Sequence, residues 1–295
     1  MSRTSGMVRL ASRAIQYMED SDVADVGRFL RSRIGTDGGF RGRAEASDLY
    51  YTLFGGACLT ALQIPPPHGP VRRYLKTFGD GAGLDFIHAA TLARCWAALP
   101  YPFSTQRGRR LLPRIEAYRA ADGGYNPAAP GTVHGTVYGG FLAFLVYQES
   151  GATLPCPQAL LASLAALRAA DGGYANDPGL PISTTTATAA AILLQQWLAR
   201  AGDQQAVAAL QLCERPAGGF AASACAPGPD LLSTATALYA LHASAARPAY
   251  VEKHLDFVES LWDAGGGFRG HPHDPLADCE YTFYALLALG CLHDT

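Results

Sequence analysis

The feature that most constrains this chain is a Gly-Gly-aromatic turn that recurs along its length. Intact copies stand at Gly38-Gly39-Phe40, Gly123-Gly124-Tyr125, Gly172-Gly173-Tyr174, Gly218-Gly219-Phe220 and Gly266-Gly267-Phe268. The gap of 85 residues between the first two is about twice the other gaps, which are 49, 46 and 48 residues long. A degenerate copy of the turn, Gly81-Ala82-Gly83, lies within that gap. The 295 residues therefore divide into six repeats of roughly 42–49 residues, a period typical of repeat architectures.

Each repeat has the same internal order, in which a helix-like stretch leads into the glycines. In the fourth repeat, Leu160, Leu161, Leu164 and Leu167 recur at helical spacing before Gly172. We expect the first glycine of each turn to end this outer helix in a left-handed conformation. The second glycine is expected to let the loop pass close to its neighbour.

The second stretch of each repeat begins with a small hydroxyl residue and is apolar nearly all round, which predicts a buried inner helix. These helices are expected at Thr52–Leu62, Thr136–Tyr147, Thr186–Leu198, Thr234–Leu241 and Thr282–Leu292. Short polar side chains just upstream are predicted to be N-caps, namely Asp48, Thr132, Asp230 and Asp278.

Helical hairpins with buried second helices stack either as an open solenoid or as a closed ring. Neither the first nor the last repeat has the polar outer face that caps a solenoid, so we predict an all-α fold of the closed α/α-toroid type. A single domain is expected over residues 1–295, with residues 1–25 packing on the ring as an N-terminal extension. The inner helices would begin at one rim, where their partial positive charges favour an anion above an apolar pocket.

Composition and charge argue against several classes of protein. A net charge of −2, from 23 Lys+Arg and 25 Asp+Glu, provides no electrostatic footprint for nucleic acid. The longest apolar stretches, 137–147 and 283–292, are shorter than the ~18–20 residues of a membrane span, so none is expected. Seven cysteines without a CxxC pair, and an N-terminus without a secretory pattern, predict a cytoplasmic protein.

The turns and the strings after them resemble those of the α/α-toroid superfamily, which includes the β subunits of protein prenyltransferases and the squalene and terpene cyclases. The glycine turns are similar to the QW-type repeats of the cyclases, and residues 39–43 followed by 48–55 look like prenyltransferase β repeats. The resemblance covers residues 37–292. It implies the toroid fold and an isoprenoid or prenyl diphosphate as ligand. For the prenyltransferases it also implies a helical-repeat partner protein.

The resemblance to protein prenyltransferases implies a metal site. Their zinc is held by an Asp-x-Cys pair and a His from the next repeat. The matching positions are Asp48 with His88, although Tyr50 stands where the cysteine belongs, and Cys279, which stands one position early. Zn or Mg is therefore the expected metal, with His88, Asp48 and Cys279 as candidate ligands.

The resemblance to class II terpene cyclases implies catalytic acids. Those enzymes protonate an alkene or epoxide with an Asp-x-Asp-Asp motif followed by Thr-Ala. The nearest match is Asp278-Cys279-Glu280-Tyr281-Thr282, which places Glu280 at the position of the proton donor. Asp278, Glu280 and the matching Asp48 are the expected catalytic residues, while an N-cap is the simpler role for the two aspartates.

The segment Thr132-Val133-His134-Gly135-Thr136 is similar to the His-Gly that touches the prenyl diphosphate in prenyltransferases. His134 is accordingly expected to bind diphosphate with Arg41, Arg43 and Arg269, and the alternative is a capping or core histidine. Aromatic side chains of the inner helices are expected to line an isoprenoid pocket or to fill the core: Tyr50, Tyr51, Tyr138, Tyr281 and Tyr284.

Three functions follow as hypotheses. The first is an isoprenoid-handling enzyme, related to prenyltransferase β subunits, that catalyses prenyl transfer. The second is a small terpene cyclase with Asp278 or Glu280 as acid, although 295 residues are expected to leave no room for the second helical domain of most such cyclases. The third is a toroid without catalytic activity that binds lipid or another protein.

Overall fold

A computed structural model describes residues 6–293 of the chain. Its helices are α1 (Gly6–Ala11), α2 (Asp20–Ser32), α3 (Leu49–Ala61), α4 (His68–Lys76), α5 (Phe86–Ala98), α6 (Ser104–Arg109), α7 (Leu112–Glu116), α8 (Val137–Ser150), α9 (Pro157–Ala165), α10 (Thr185–Ala199), α11 (Gln204–Gln211), α12 (Leu231–Ala243), α13 (Val251–Ser260) and α14 (Cys279–Leu292), with a 3-10 helix at Ser12–Tyr17. Short antiparallel strand pairs precede α3, α12 and α14: β1 (Phe40–Arg41) with β2 (Ser47–Asp48), β3 (Phe220–Ala221) with β4 (Pro229–Asp230), and β5 (Phe268–Arg269) with β6 (Ala277–Asp278). None of the helices within residues 6–293 is long and apolar enough to cross a membrane.

Outer and inner helices alternate along the chain as the repeat predicts. The inner helices α3, α5, α8, α10, α12 and α14 are largely buried, whereas the outer helices α2, α4 and α13 each expose a charged face. Helices α3, α12 and α14 begin three residues before the threonines that were expected to start them, at Leu49, Leu231 and Cys279. The reason is that the aspartate N-cap stands directly before each helix.

Aspartate side chains cap these three inner helices. Asp48 accepts hydrogen bonds from backbone N–H groups of the first turn of α3, and Asp230 and Asp278 do the same for α12 and α14. Such a side chain satisfies N–H groups that have no partner inside the helix. The predicted capping role of the three aspartates is therefore confirmed.

A buried threonine one turn inside each of these helices fastens the helix to its glycine turn. In α3, Thr52 Oγ1 donates to Asp48 O at 2.6 Å and accepts from Phe40 N at 2.9 Å. The same two bonds recur at Thr234 in α12 and at Thr282 in α14. Each hydroxyl satisfies a buried donor and a buried acceptor together, so the turn and the helix start are held as one piece.

Two of the predicted helix starts need correction. The N-cap of α8 is Thr136 and not Thr132, because Thr136 stands directly before the helix and its hydroxyl accepts from the first turn. The helix expected to start at Thr186 begins one residue earlier, at Thr185, with Thr184 as its N-cap. Thr188 Oγ1 accepts from Tyr174 N at 3.0 Å.

The first glycine of every intact turn has a positive φ, between 87° and 103°, which confirms the predicted left-handed conformation. The same glycine also makes the close approach to the next outer helix. A Cβ on Gly38 would collide with the backbone of Pro70 in α4, and one on Gly218 with the backbone of Lys253 in α13. Glycine is thus required there for two independent reasons.

The chain divides into two compact units. One contains residues 77–212, and with them α5 to α11; in it α8 packs between α5 and α10. The other contains, among the described residues, 6–76 and 213–293, and with them α1 to α4 and α12 to α14. In this second unit α14 packs against α12 and α3, so the last inner helix lies beside the first.

The last turn of the chain meets the first outer helix within the second unit. A Cβ on Gly266 would collide with the backbone of Asp25 in α2, just as Gly38 meets α4. Of the predicted extension, residues 1–5 lie outside the described residues, and Gly6–Ala11 packs against α3 and α14. Residues from Asp20 onward already belong to α2, so the extension is shorter than predicted.

A buried histidine ties α13 to the turn before α12. His254 is fully buried; its Nδ1 accepts from Gly219 N at 2.8 Å, and its Nε2 lies 2.8 Å from Glu214 Oε1. Because Nδ1 is an acceptor, the proton of the neutral ring sits on Nε2 and is donated to Glu214. Glu214 Oε1 also accepts from the N–H groups of Ala249 and Tyr250 at the start of α13.

We expect His254→Ala to lower the free energy of unfolding by about 3 kcal/mol, because it leaves the buried N–H of Gly219 without an acceptor, removes one of the three donors to Glu214 Oε1 and leaves a cavity in place of the ring. The matched control is Lys253→Ala, which removes an exposed ion pair with Asp256 on the same helix and should leave stability close to that of the wild type. Denaturant unfolding followed by circular dichroism measures both. Equal losses in the two variants would contradict a special role for His254.

Candidate active site

Glu280 occupies the second position of α14, directly after the capped start of that helix. Its side chain is mostly buried, and Tyr50 OH from α3 donates a hydrogen bond to Glu280 Oε1 at 2.7 Å. Burial raises the pKa of Glu280 to about 7, and the nearby charge of Asp278 adds to the shift, whereas the Tyr50 hydrogen bond opposes it. A carboxyl group with this pKa both holds and releases a proton near neutral pH.

Asp278, two residues before Glu280, is the N-cap of α14 and is 1% exposed. Its Oδ1 accepts from Tyr281 N at 3.0 Å, and its Oδ2 accepts from Arg43 Nε at 3.0 Å. Arg43 also pairs with Asp274, and the bonds to the two carboxylates raise the pKa of its guanidinium above the ordinary arginine value. Both oxygens of Asp278 are therefore engaged in holding the structure around Glu280.

Aromatic side chains of α3 and α14 pack together next to Tyr50, the residue that is bonded to Glu280. The ring of Tyr50 lies 4.9 Å from that of Phe54, and Phe54 lies 5.6 Å from both Phe283 and Tyr284. These rings form one connected cluster that begins at the residue bonded to Glu280. Their faces carry negative charge density, which attracts a cation.

The remaining predicted pocket tyrosines have other surroundings. The ring of Tyr51 packs on Gly42 and the ring of Tyr281 on Gly270, in the turns that precede α3 and α14. Burial raises the pKa of Tyr51 to about 12, so it stays a neutral phenol. Tyr138, at the start of α8, is 37% exposed. Their role in binding an isoprenoid stays a prediction.

His134 lies in the loop before α8 with a side chain that is 56% exposed. Its Nδ1 is 3.5 Å from Asp122 Oδ2, and the same carboxylate accepts from the N–H groups of Gly124 and Gly135. An incoming diphosphate would therefore meet the negative charge of Asp122, which already accepts hydrogen bonds from two backbone N–H groups of this loop. The predicted diphosphate-binding role of His134 stays a prediction.

Two of the arginines expected to bind diphosphate bond to helix ends instead. Arg41 Nη2 donates to Ser32 O at the end of α2 at 2.9 Å, and Arg269 Nη2 donates to Ser260 O at the end of α13 at 3.3 Å. Both follow a turn phenylalanine, so the contact belongs to the repeat. Carbonyl groups at a helix end have no partner inside the helix, and a guanidinium satisfies them well.

Each residue expected to bind Zn or Mg has other contacts in this structure, and its role as a metal ligand stays a prediction. Cys279 is fully buried, and burial raises the pKa of its thiol to about 12. Asp48 accepts from Tyr50 N at 2.6 Å as a cap, and His88 Nδ1 lies 2.8 Å from Asp85 Oδ1. Nowhere in residues 6–293 do three His, Cys, Asp or Glu side chains form a group suited to a metal ion.

Two features of the site were not anticipated from the sequence. Phe54 stands four residues after Tyr50, which places both on one helix face, and this spacing is the signal that indicates the ring contact. The bond from Arg43 to Asp278 joins residues 235 positions apart, and no local pattern predicts it.

Several solved structures are similar to this chain over nearly their whole length. A variant of the type II terpene cyclase MstE from Scytonema, in complex with its substrate geranylgeranyl dihydroxybenzoate, is 13% identical, with a TM-score of 0.66 over 96% of this chain and 97% of that one. An inactive α-1,6-mannanase variant from Salegentibacter in complex with α-1,6-mannotriose is 9% identical, with a TM-score of 0.61 over 92% and 98%. A protein from Actinoplanes is 14% identical, with a TM-score of 0.60 over 92% and 98%. Comparison with curated protein sequences gives no match.

These likenesses define an all-α protein of the α/α-toroid class, as predicted. The chain belongs to the family described as the prenyltransferase alpha-alpha toroid domain, which matches residues 6–104, 115–243 and 231–295. Because this chain covers 97% of the MstE chain, a type II terpene cyclase exists at about this length. The length of this chain is therefore compatible with the terpene cyclase hypothesis.

The pKa of Glu280 has a consequence for stability. Its value of about 7 in the folded protein lies above that of an ordinary glutamate, so the protonated carboxyl stabilises the fold at low pH and this contribution is lost as the pH rises towards 7. We expect Glu280→Gln to match the wild type near pH 4 and to exceed its free energy of unfolding near pH 8 by up to about 3 kcal/mol.

Denaturant unfolding across this pH range measures the difference. Glu252→Gln is the matched control, because Glu252 is also the second residue of its helix, α13, but is exposed. Its stability should follow the wild type at every pH. A Glu280→Gln variant that is less stable than the wild type near pH 8 would contradict the raised pKa.

Proposed function

We propose that this chain is a terpene cyclase-like enzyme that protonates an isoprenoid substrate, with Glu280 as the proton donor. The observation that carries the proposal is a mostly buried carboxyl with a pKa of about 7, bonded to Tyr50 at the edge of an aromatic cluster. The terpene cyclase likeness of the fold supports this choice of substrate class.

The proposed reaction begins when the Glu280 carboxyl transfers its proton to an alkene carbon or an epoxide oxygen of the substrate. With an alkene, the π electrons form the new C–H bond and the neighbouring carbon becomes the carbocation. With an epoxide, an oxygen lone pair binds the proton, the C–O bonding pair moves to that oxygen as the ring opens, and the carbon becomes the carbocation. Attack by further alkenes closes rings, and loss of a proton from carbon to a base ends the reaction. The product of alkene protonation is an isomer of the substrate, with no net gain of atoms.

Three parts of the site suit this sequence of steps. Tyr50 OH donates to Glu280 Oε1 and stabilises the carboxylate that remains after proton transfer. The rings of Phe54, Phe283 and Tyr284 pack close together beside Tyr50, and aromatic rings would stabilise positive charge that develops on a hydrocarbon bound next to them. Asp278 acts as a positioning residue, because its cap bond and its ion pair with Arg43 fix the first turn of α14, which carries Glu280.

Prenyl transfer, the first hypothesis from the sequence, fits the site less well. In the prenyltransferases that the sequence resembles, a zinc ion activates the reacting thiol, and one ligand of that zinc is a cysteine of the protein. Here Cys279 is a buried thiol whose pKa is about 12, and Tyr50 stands where the first repeat would need a cysteine. The carboxyl of Glu280 has no counterpart in that reaction, whereas protonation uses it directly.

Glu280→Gln should lower turnover of a polyprenyl substrate by about a hundredfold or more, because glutamine has no acidic proton to donate. Purified protein is incubated with geranylgeranyl substrates, and hydrocarbon products are measured by gas chromatography with mass spectrometry. Glu252→Gln should keep wild-type turnover. Cyclic products in equal amounts from Glu280→Gln would contradict the role of Glu280, and a bound isoprenoid without any turnover in the wild type would favour the binding toroid.

Tyr50→Phe should move the pH dependence of turnover in a defined direction. The hydrogen bond from Tyr50 favours the ionised carboxylate, so its loss raises the pKa of Glu280 above about 7. The pH at which turnover falls to half should therefore rise, while the maximal rate declines. Tyr51→Phe, which removes a neighbouring phenol, should leave the midpoint in place. A midpoint that stays constant in Tyr50→Phe would contradict the contact.

A further inference from the structure

An aromatic ring is exposed at the start of helix α6. Phe103, directly before this helix, is 71% exposed, the largest fraction among the large apolar side chains of residues 6–293. Its backbone has a φ of 65°, a left-handed conformation that a bulky residue rarely adopts. The ring adds little to the core, and strained residues of this kind cluster at functional sites. Phe103 therefore points to a contact outside the fold.

Three exposed arginines follow Phe103 within seven residues: Arg107, Arg109 and Arg110. Phe103, Arg107 and Arg110 are spaced by four and three residues, which places them on one side of the helix. Three buried residues have the same spacing on another side, where α6 packs against α5 and α8: Ser104, Gly108 and Leu111. The α6 segment, residues 103–111, thus presents one aromatic ring together with cations on its outer side.

The positive charge of the α6 segment is not neutralised by carboxylates. Residues 86–115 contain five arginines and no aspartate or glutamate, although the whole chain has a net charge of −2. Arg109 donates to the carbonyl groups of Ser150 and Gly151, and Arg107 lies over the ring of Trp96; neither contact removes a charge. Carboxylates of the neighbouring elements are already in ion pairs with other arginines: Glu149 with Arg94, Asp80 with Arg114 and Glu116 with Arg119.

We propose that the α6 segment binds the surface of an anionic lipid bilayer, with the ring of Phe103 inserted at the interface and the arginines among the headgroups. Aromatic rings are favoured at this depth of a membrane, and each arginine near an anionic surface raises the affinity about fivefold. A stable protein partner would need about 20–30 residues on this side, whereas the patch consists of four side chains. Shallow contact with a lipid surface needs no such area, and the proposal does not depend on Glu280.

Co-sedimentation with vesicles tests the proposal on the full chain. One set of vesicles is made of phosphatidylcholine alone, and the other contains phosphatidylserine as well. We expect binding to the vesicles with phosphatidylserine, weakened by added salt because salt screens the attraction between exposed charges. No binding to these vesicles, or equal binding to both sets, would overturn the proposal.

Variants locate the contact. Arg110→Gln should lower the affinity for vesicles with phosphatidylserine about fivefold, and Phe103→Ala about tenfold. Phe103→Trp should keep the affinity of the wild type, because another aromatic ring suits the interface. The matched controls are Arg31→Gln, an exposed arginine of α2, and Leu212→Ala, a leucine that is 66% exposed after α11. Both should bind as the wild type does.

The pattern among the variants decides the outcome. A loss in Arg110→Gln without a loss in Phe103→Ala would indicate a purely electrostatic contact, as with an acidic protein, and would contradict insertion. Losses in the control variants as large as those in the α6 segment would contradict the location. Glu280→Gln should bind vesicles as the wild type does, so the surface and the proposed reaction can fail separately.

Discussion

The double hydrogen bond of a buried threonine is the interaction on which the rest of this structure depends. Thr52, Thr234 and Thr282 each join a helix cap to the backbone of a turn aromatic. Without the hydroxyl, the buried N–H of the turn aromatic would lose its acceptor, at a cost of about 1–3 kcal/mol, and the carbonyl of the cap residue would lose the hydroxyl as a donor. The positive φ of the first glycine brings the same turn against the next outer helix, so one short segment orders three elements.

The position of Glu280 follows from this arrangement. The capped start of α14 fixes the backbone of residue 280, and the ion pair of Asp278 with Arg43 holds that start in place. A helix N-terminus favours a negative charge by about 0.3–1 kcal/mol, which alone would lower the pKa of a glutamate. Burial has the opposite effect and is larger, since a pKa of about 7 corresponds to a penalty of about 3 kcal/mol for the charged form.

The repeat, the inner helices and the aspartate caps were predictable from the sequence, because each depends on residues close together in the chain. Asp48 and Asp278 stand directly before apolar runs, and short-range capping chemistry decides their role. Thr132 was misplaced because several hydroxyl residues precede α8 and only the three-dimensional path of the loop selects Thr136.

The environment of the candidate site was less predictable. Glu280 was identified by its place in an acid motif, but its raised pKa depends on burial and on Tyr50, a residue 230 positions away. The pairing of Arg43 with Asp278 likewise needs the last repeat to pack on the first. The arginines expected to bind diphosphate have varied partners, because Arg41 caps a helix, whereas Arg43 binds carboxylates.

The central claim is that Glu280 carries its proton near neutral pH. The most direct test is an NMR titration of protein labelled with ¹³C at glutamate carboxyls, from about pH 4 to about pH 9, in the wild type and in Glu280→Gln. The account predicts one carboxyl resonance that titrates near pH 7 and is missing from the variant. If every glutamate of the wild type titrates below about pH 5, the account is wrong.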